Sequence, residues 1–309
     1  MSLPSILTES NHYVGLCDQL NGRVILRDLA IPDWSDDRSV VWEHRRDDQG
    51  RENFRWIAGL KFRHSDLYGG DVAIYCAPRC KAHIISMETR QELLMAEQTG
   101  CNPHATELLP NGVLVVGSSN DGLVTLYAPK QTTPCYSLQI IGSDSGAPDV
   151  HGILWDPKYQ LLWIEGGQKL RSFRVEGTET APTLTQTGEY TAPTTDLHDM
   201  AASYGDPDSL LLSGIGGIVR FDKRTKQFSY DFPHCGVAES FGCNTGFGLF
   251  ADGVLALTST IKSPPTYQYW NTDKIFVCVP TEQGGTEILT YHAPNDAYYK
   301  LRVFDTNYQ

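Results

Sequence analysis

Short apolar runs recur along the chain, mostly five to eight residues long, and Gly, Pro, Asn or Asp ends them. VLVVGSSNDGLVTLYAP is representative: two runs flank Asn120-Asp121-Gly122, a tight-hairpin signal. Val, Ile, Leu, Tyr and Phe dominate these runs, as the pleated surface of a sheet favours. No long helical pattern appears; METRQELLMAEQ comes nearest and reads as strand.

The runs are organised in a repeat. His104, His151 and His198 stand 47 residues apart (151 − 104 and 198 − 151), with Asn102, Asp149 and Asp196 two places before them. A turn-rich cluster and an apolar strand follow each histidine. Self-similarity at this period predicts a β-propeller with one four-stranded blade per repeat. The third blade reads as strands at 104–109, 113–119, 123–129 and 136–142. The chain opens out of phase: YVGLCDQLNGRVILRDL matches a second strand, a turn and a third, and SVVWEHR a fourth. AYYKLRVFD at the other end supplies the missing first strand and closes the ring. The prediction is an all-β, six-bladed propeller over 12–305. Its blades are 12–55 with 297–305, 56–102, 103–149, 150–196, 197–238 and 239–296.

This geometry gives the histidines a place. The first strand of each blade lines the channel, so the trio should ring one mouth. Trp56, Thr245 and either Tyr298 or Lys300 take the equivalent positions in the other blades. Three imidazoles there could hold a divalent metal (Mn, Zn or Ca) or serve as acid and base. The residue two places before each histidine would orient a neighbouring imidazole. The structural alternative is that repeat histidines tie blades together through backbone hydrogen bonds. The sixth blade carries the longest insertion, 261–273, with Tyr267, Tyr269 and Trp270 for stacking on a flat ligand. Arg79, with Lys81, could receive a carboxylate. Glu239 is a candidate ligand or acid/base, and His234 a candidate fourth imidazole.

Composition narrows the partners. With 25 Lys plus Arg against 37 Asp plus Glu, the formal charge is −12, which disfavours a nucleic-acid backbone. No apolar run is long enough to span a membrane. The eight cysteines lie mostly in or beside strand-like runs, as buried thiols do. With no evident signal peptide, a reducing, cytoplasmic monomer is expected, unless a leader has been removed.

Asn102-Pro103-His104 running into ELLPNG, and His151-Gly152 running through Trp155-Asp156 into LLWIEG, resemble a little-characterised propeller family of bacteria and fungi. That family's domain carries no assigned function; the resemblance covers roughly 12–305 and is strongest over 100–175. The histidine-ringed mouth also looks like that of propeller polysaccharide lyases and glycosidases, an analogy of architecture. Three expectations follow. The first is an enzyme acting on a small molecule or oligosaccharide, a lyase or hydrolase with His104, His151 and His198 as base or metal ligands. The second is a cyclase or isomerase of specialised metabolism. The third is a non-enzymatic binding scaffold.

Overall fold

The computed structural model describes residues 3–45, 56–77, 81–97, 99–100, 102–142, 147–242, 246–263 and 267–308. Its strands form six four-stranded antiparallel sheets. The first pairs β1 (Tyr13–Asp18), β2 (Arg23–Asp28) and β3 (Val40–Arg45) with the last strand, β24 (Tyr298–Val303), in the order β24-β1-β2-β3. The second holds β4 (Ala58–Ser65), β5 (Gly70–Ala77), β6 (Lys81–Ser86) and β7 (Glu92–Glu97). The third holds β8 (Pro103–Leu108), β9 (Leu114–Ser118), β10 (Leu123–Tyr127) and β11 (Tyr136–Gln139). The fourth holds β12 (Gly152–Asp156), β13 (Leu161–Gly166), β14 (Lys169–Thr178) and β15 (Ala181–Thr191). The fifth holds β16 (Asp199–Ala202), β17 (Ser209–Gly214), β18 (Gly217–Asp222) and β19 (Gln227–Ser229). The sixth holds β20 (Phe247–Leu249), β21 (Leu255–Leu257), β22 (Lys274–Pro280) and β23 (Thr286–His292).

The innermost strands touch in a closed circuit, β24 to β4, β8, β12, β16, β20 and back to β24. The chain is therefore a six-bladed β-propeller closed by its C-terminal strand. Its core lies between blades: one apolar cluster fills each of the six interfaces, for example Leu154, Trp163 and Met200 between the fourth and fifth blades. This is why the runs have few polar positions. Inner strands bury both faces against neighbouring blades, so β12 and β17 are buried at every residue.

Charge as well as backbone pairing secures the closure. Asp296, just before β24, accepts from Arg23 (2.8 Å), Arg27 (2.8 Å), Asn21 (3.1 Å) and the Tyr298 hydroxyl (2.6 Å). Beyond β24 the chain crosses the far end of the channel. Tyr308 donates to Leu108 O (2.7 Å), and Arg63 donates to Asn307 O (3.2 Å) with its guanidinium over the Tyr308 ring.

Two short helices depart from the all-strand reading: α1 (Ser5–Glu9) and α2 (Cys235–Ser240). Each is too short to show a helical period in sequence. Leu7 of α1 and Ala238 of α2 join inter-blade clusters. Among the described residues no helix is long and apolar enough to cross a membrane.

Candidate active site at the channel mouth

Each histidine is the extra residue at a local irregularity where its blade's innermost strand begins. Pro103 faces Ser118 and Ala105 faces Gly117, leaving His104 as a bulge. His151 N donates to Glu165 O (3.0 Å), although Glu165 already pairs with Gly152. His198 N donates to Ser213 O (2.8 Å), although Ser213 pairs with Asp199. An extra residue turns its side chain off the strand's alternation. Here it turns the imidazoles together: ring centroids are 4.8 Å apart for His104 and His151, 4.5 Å for His151 and His198, and 6.3 Å for His104 and His198.

The closing blade contributes Tyr299, not Tyr298 or Lys300. Its ring lies 5.7 Å from His104 and 5.9 Å from His198, and its hydroxyl is 3.4 Å from His104 Nδ1. The cause is another bulge. Asp18 pairs with Tyr298 and Leu16 with Leu301, so β24 advances one residue more than β1 over this span. Tyr298 is buried against Trp34, with its hydroxyl on Asp296. Lys300 is fully buried beneath the rings. Its Nζ donates to His198 O and lies 3.4 Å from His198 Nδ1 and 3.8 Å from Asp199 Oδ1. Asp199, also fully buried, takes a bidentate pair of hydrogen bonds from Arg302.

Above the rings a cleft of about 370 Å³ is lined by Gln19, Trp56, Asn102, His104, His198, Tyr269, Trp270 and Tyr299. Trp56 and Trp270 stand 5.4 Å apart at 45°, and Tyr269 meets Trp270 edge-on at 4.4 Å. Tyr267 lies behind them, 6.5 Å from Trp56. The 261–273 insertion thus brings its aromatics to the histidines, and Trp56 meets them there. Tyr269 keeps 79% of its surface exposed, so this wall is available to a ligand.

Electrostatics keeps two of the rings neutral. Burial pushes His104 well below the usual histidine range; His151 and the Lys300 ammonium add to the shift. His198 moves the same way, by burial first, then Lys300 and the other two imidazoles. His151 has a different neighbour: its Nδ1 lies 2.7 Å from Asp149 Oδ1. Burial also lowers the Lys300 amine, and Arg302 opposes its charge further.

Other expected residues lie elsewhere. Glu239 sits on α2, exposed, with its backbone packed over Gly217 at the turn between β17 and β18; it does not join the rings. His234 bonds Thr286 Oγ1 (2.7 Å) and Gly253 O (2.8 Å) beside the turn between β20 and β21, away from the mouth. Arg79 and Thr245 lie outside the described residues. The orienting role expected of Asn102, Asp149 and Asp196 applies to Asp149 alone. Asn102 holds Ser119 and Asn120 of its own blade's turn, and Asp196 is exposed with a left-handed backbone (φ 48°). Among the described residues, no three His, Cys, Asp or Glu side chains are grouped to hold a metal ion.

One feature escaped the sequence reading. Glu165 was read as an ordinary strand residue of LLWIEG, yet it is fully buried with both carboxyl oxygens unpartnered. Burial first, then nearby Asp149, raises its carboxyl well above the usual range, against the pull of Lys300 and Arg302. A lone acid inside an apolar inner strand was the available signal.

A six-bladed propeller with an imidazole cluster at one mouth is the class that fold and site define. Residues 73–273 match the model of the Family of unknown function (DUF6528), and the chain belongs to that family. Among solved structures it is similar to a protein of unknown function from Bacteroides caccae, with 10% identity and a TM-score of 0.58. That similarity spans 96% of this chain and 99% of that one, and it supports the fold alone. No curated protein matches the chain.

Proposed function

We propose that the protein is an enzyme that receives a small hydroxylated ring, a sugar or short oligosaccharide, in the mouth cleft and transfers a proton there through His151. The observation that carries this reading is an aromatic-walled cleft lined by His104 and His198, with the His151 ring packed 4.8 Å and 4.5 Å from theirs. Aromatic faces stack on the apolar face of a sugar, while imidazoles and amides bond its hydroxyls. Asp149 Oδ1 lies 2.7 Å from His151 Nδ1, which favours a proton on that nitrogen and a lone pair on Nε2 for use as a base.

Within that reading a lyase is favoured over a hydrolase. Glycoside hydrolysis generally uses two carboxylates flanking the bond. Among the described residues, those lining the cleft include none. The Lys300 ammonium against His198 Nδ1 would repel a cation held by the rings, so the chemistry is assigned to the side chains themselves.

The test is turnover of a panel of uronate-containing and neutral oligosaccharides, followed by appearance of unsaturated product. Folded His151→Ala is expected to lose about 10²- to 10⁴-fold in rate. Binding without turnover by the wild type would make the protein a sugar-binding module. Equal rates in both proteins would remove His151 from the chemistry.

A further inference from the structure

We infer that Lys61 is a modification site: its amine, set in a small chamber at the end of the channel away from the histidines, captures carbon dioxide as a carbamate. The site stands apart from the mouth and its chemistry. Lys61 lies in β4, the innermost strand of the second blade, and keeps only 6% of its surface exposed. With Phe62, Arg63, Tyr204, Arg302 and Asp305 it lines a chamber of about 20 Å³, room for about one water or a triatomic gas.

A buried ammonium needs an acceptor for each of its three N–H groups. Lys61 Nζ has one, Met200 O at 3.5 Å, and among the described residues it forms no ion pair. The carboxylates around it are already taken. Glu107 accepts from Arg63 Nε and Nη2 (2.8 Å each), and Asp199 takes the bidentate pair from Arg302 and faces Lys300 at 3.8 Å. Asp305, on the strap, is partly exposed and accepts from Asn307 N (2.8 Å) and Nδ2 (2.9 Å). The Tyr204 hydroxyl donates to Asn307 O (3.4 Å). Arg302 Nε, itself buried, has no acceptor.

An amine so placed gives up its proton readily. Burial first, then Arg302, pushes Lys61 down to about 7; Arg63 adds to the shift, and Glu107 and Asp199 oppose it. At pH 7 roughly half of Lys61 is then the free base, against about one in 3,000 for an ordinary lysine. The free amine is a nucleophile. Its surroundings select the electrophile by size and by charge. The chamber admits only a few atoms, and the unpartnered Arg302 Nε calls for an acceptor. Carbon dioxide meets both conditions and needs no leaving group. The amine lone pair forms the N–C bond, one C=O π pair moves onto oxygen, and a proton of the amine passes to water. The carbamate brings two acceptor oxygens to Arg302 and turns the repulsion of Lys61 by Arg302 and Arg63 into attraction.

The experiment is ¹³C NMR of the full chain in [¹³C]bicarbonate buffer near neutral pH, followed by trapping with triethyloxonium and peptide mass mapping. The expected result is a carbamate carbon resonance, lost in folded Lys61→Met, and an ethoxycarbonyl group on Lys61. Its occupancy should exceed that of any exposed lysine at least tenfold, because so much more of this amine is free. If Lys61→Met does not fold, the mapped wild-type protein decides by itself. No carbamate resonance at saturating bicarbonate overturns the inference. So does a resonance that persists in folded Lys61→Met, or trapped label found on exposed amines with none on Lys61.

Discussion

The indole N–H of Trp270 donates to Gln19 Oε1 across 3.0 Å. The same oxygen accepts from Asn271 Nδ2 (3.0 Å), while Gln19 Nε2 donates to Ile57 O (3.0 Å). One amide from the first blade thus fixes the aromatic insertion of the sixth against the start of the second. The cleft wall is held in place before a ligand arrives, which lowers the entropy cost of binding.

Replacing Gln19 with Ala should therefore loosen the wall more than the fold. Three hydrogen bonds are lost, each worth about 0.5–1.5 kcal/mol net, part of it recovered by water. The expected result is a Tm lower by a few degrees and a larger loss in ligand affinity. Tryptophan fluorescence should shift as Trp270 becomes more solvated. An unchanged spectrum would show that the insertion is fixed by other contacts.

Asp296 joins the closing strand to the first blade through two buried arginines and two neutral donors. Asp296→Ala leaves Arg23 and Arg27 short of a buried counter-ion, which typically costs about 3–5 kcal/mol. The sign with pH follows from its carboxyl, which is held below the usual range by the Tyr298 hydrogen bond and the two arginines against the cost of burial. A depressed carboxylate contributes stability above its unfolded value, and that contribution is lost as pH falls through the folded one. In chemical denaturation the gap between wild type and variant should therefore be full at neutral pH and narrow in strong acid.

Glu165 should show the opposite sign. Its folded carboxyl is raised, so the folded state binds a proton that the unfolded chain releases above about pH 4.5. Stability attributable to this group falls as pH rises from there towards the folded value. Glu165→Gln removes the slope, so the variant should gain on the wild type between pH 5 and 8. Parallel Tm curves would mean that an unseen partner keeps the carboxylate ionised.

Gly152 makes room for that acid. A Cβ at 152 would meet Glu165 Oε1 at 2.5 Å and Met200 Cβ at 2.9 Å. Gly152→Ala is expected to cost about 1–3 kcal/mol by overpacking. Adding Glu165→Ala should return part of it, a coupling that a double-mutant cycle by denaturation measures. Strict additivity would place the strain on Met200 instead.

Metal content is the simplest check on the histidine cluster. The purified, untagged protein is expected to hold no stoichiometric manganese, zinc or calcium, and folded His151→Ala should match it. Near-stoichiometric metal lost in the variant would replace the side-chain mechanism with a metal-assisted one.

The sequence alone determined the ring. A 47-residue spacing of His104, His151 and His198 and the two-strand phase at Tyr13 specify six blades and a shared first blade. Such features survive in sequence because every blade must bury the same strands against its neighbours. They also placed the aromatics of 261–273 beside the mouth. What the tertiary structure decided is the aim of individual side chains. The bulge in β24 sends Tyr299 to the rings and buries Tyr298 and Lys300, a difference of one residue that the period does not resolve. The helix α2 carries Glu239 away, and Asp149 turns towards His151 while Asn102, at the same repeat position, turns to its own blade. Repeats fix strands through many additive burials, whereas a bulge or a rotamer rests on a few contacts between segments distant in sequence. The fold, and the expectation that Asp149 meets an imidazole, were therefore legible along the chain, and which residue of β24 faces the rings was not.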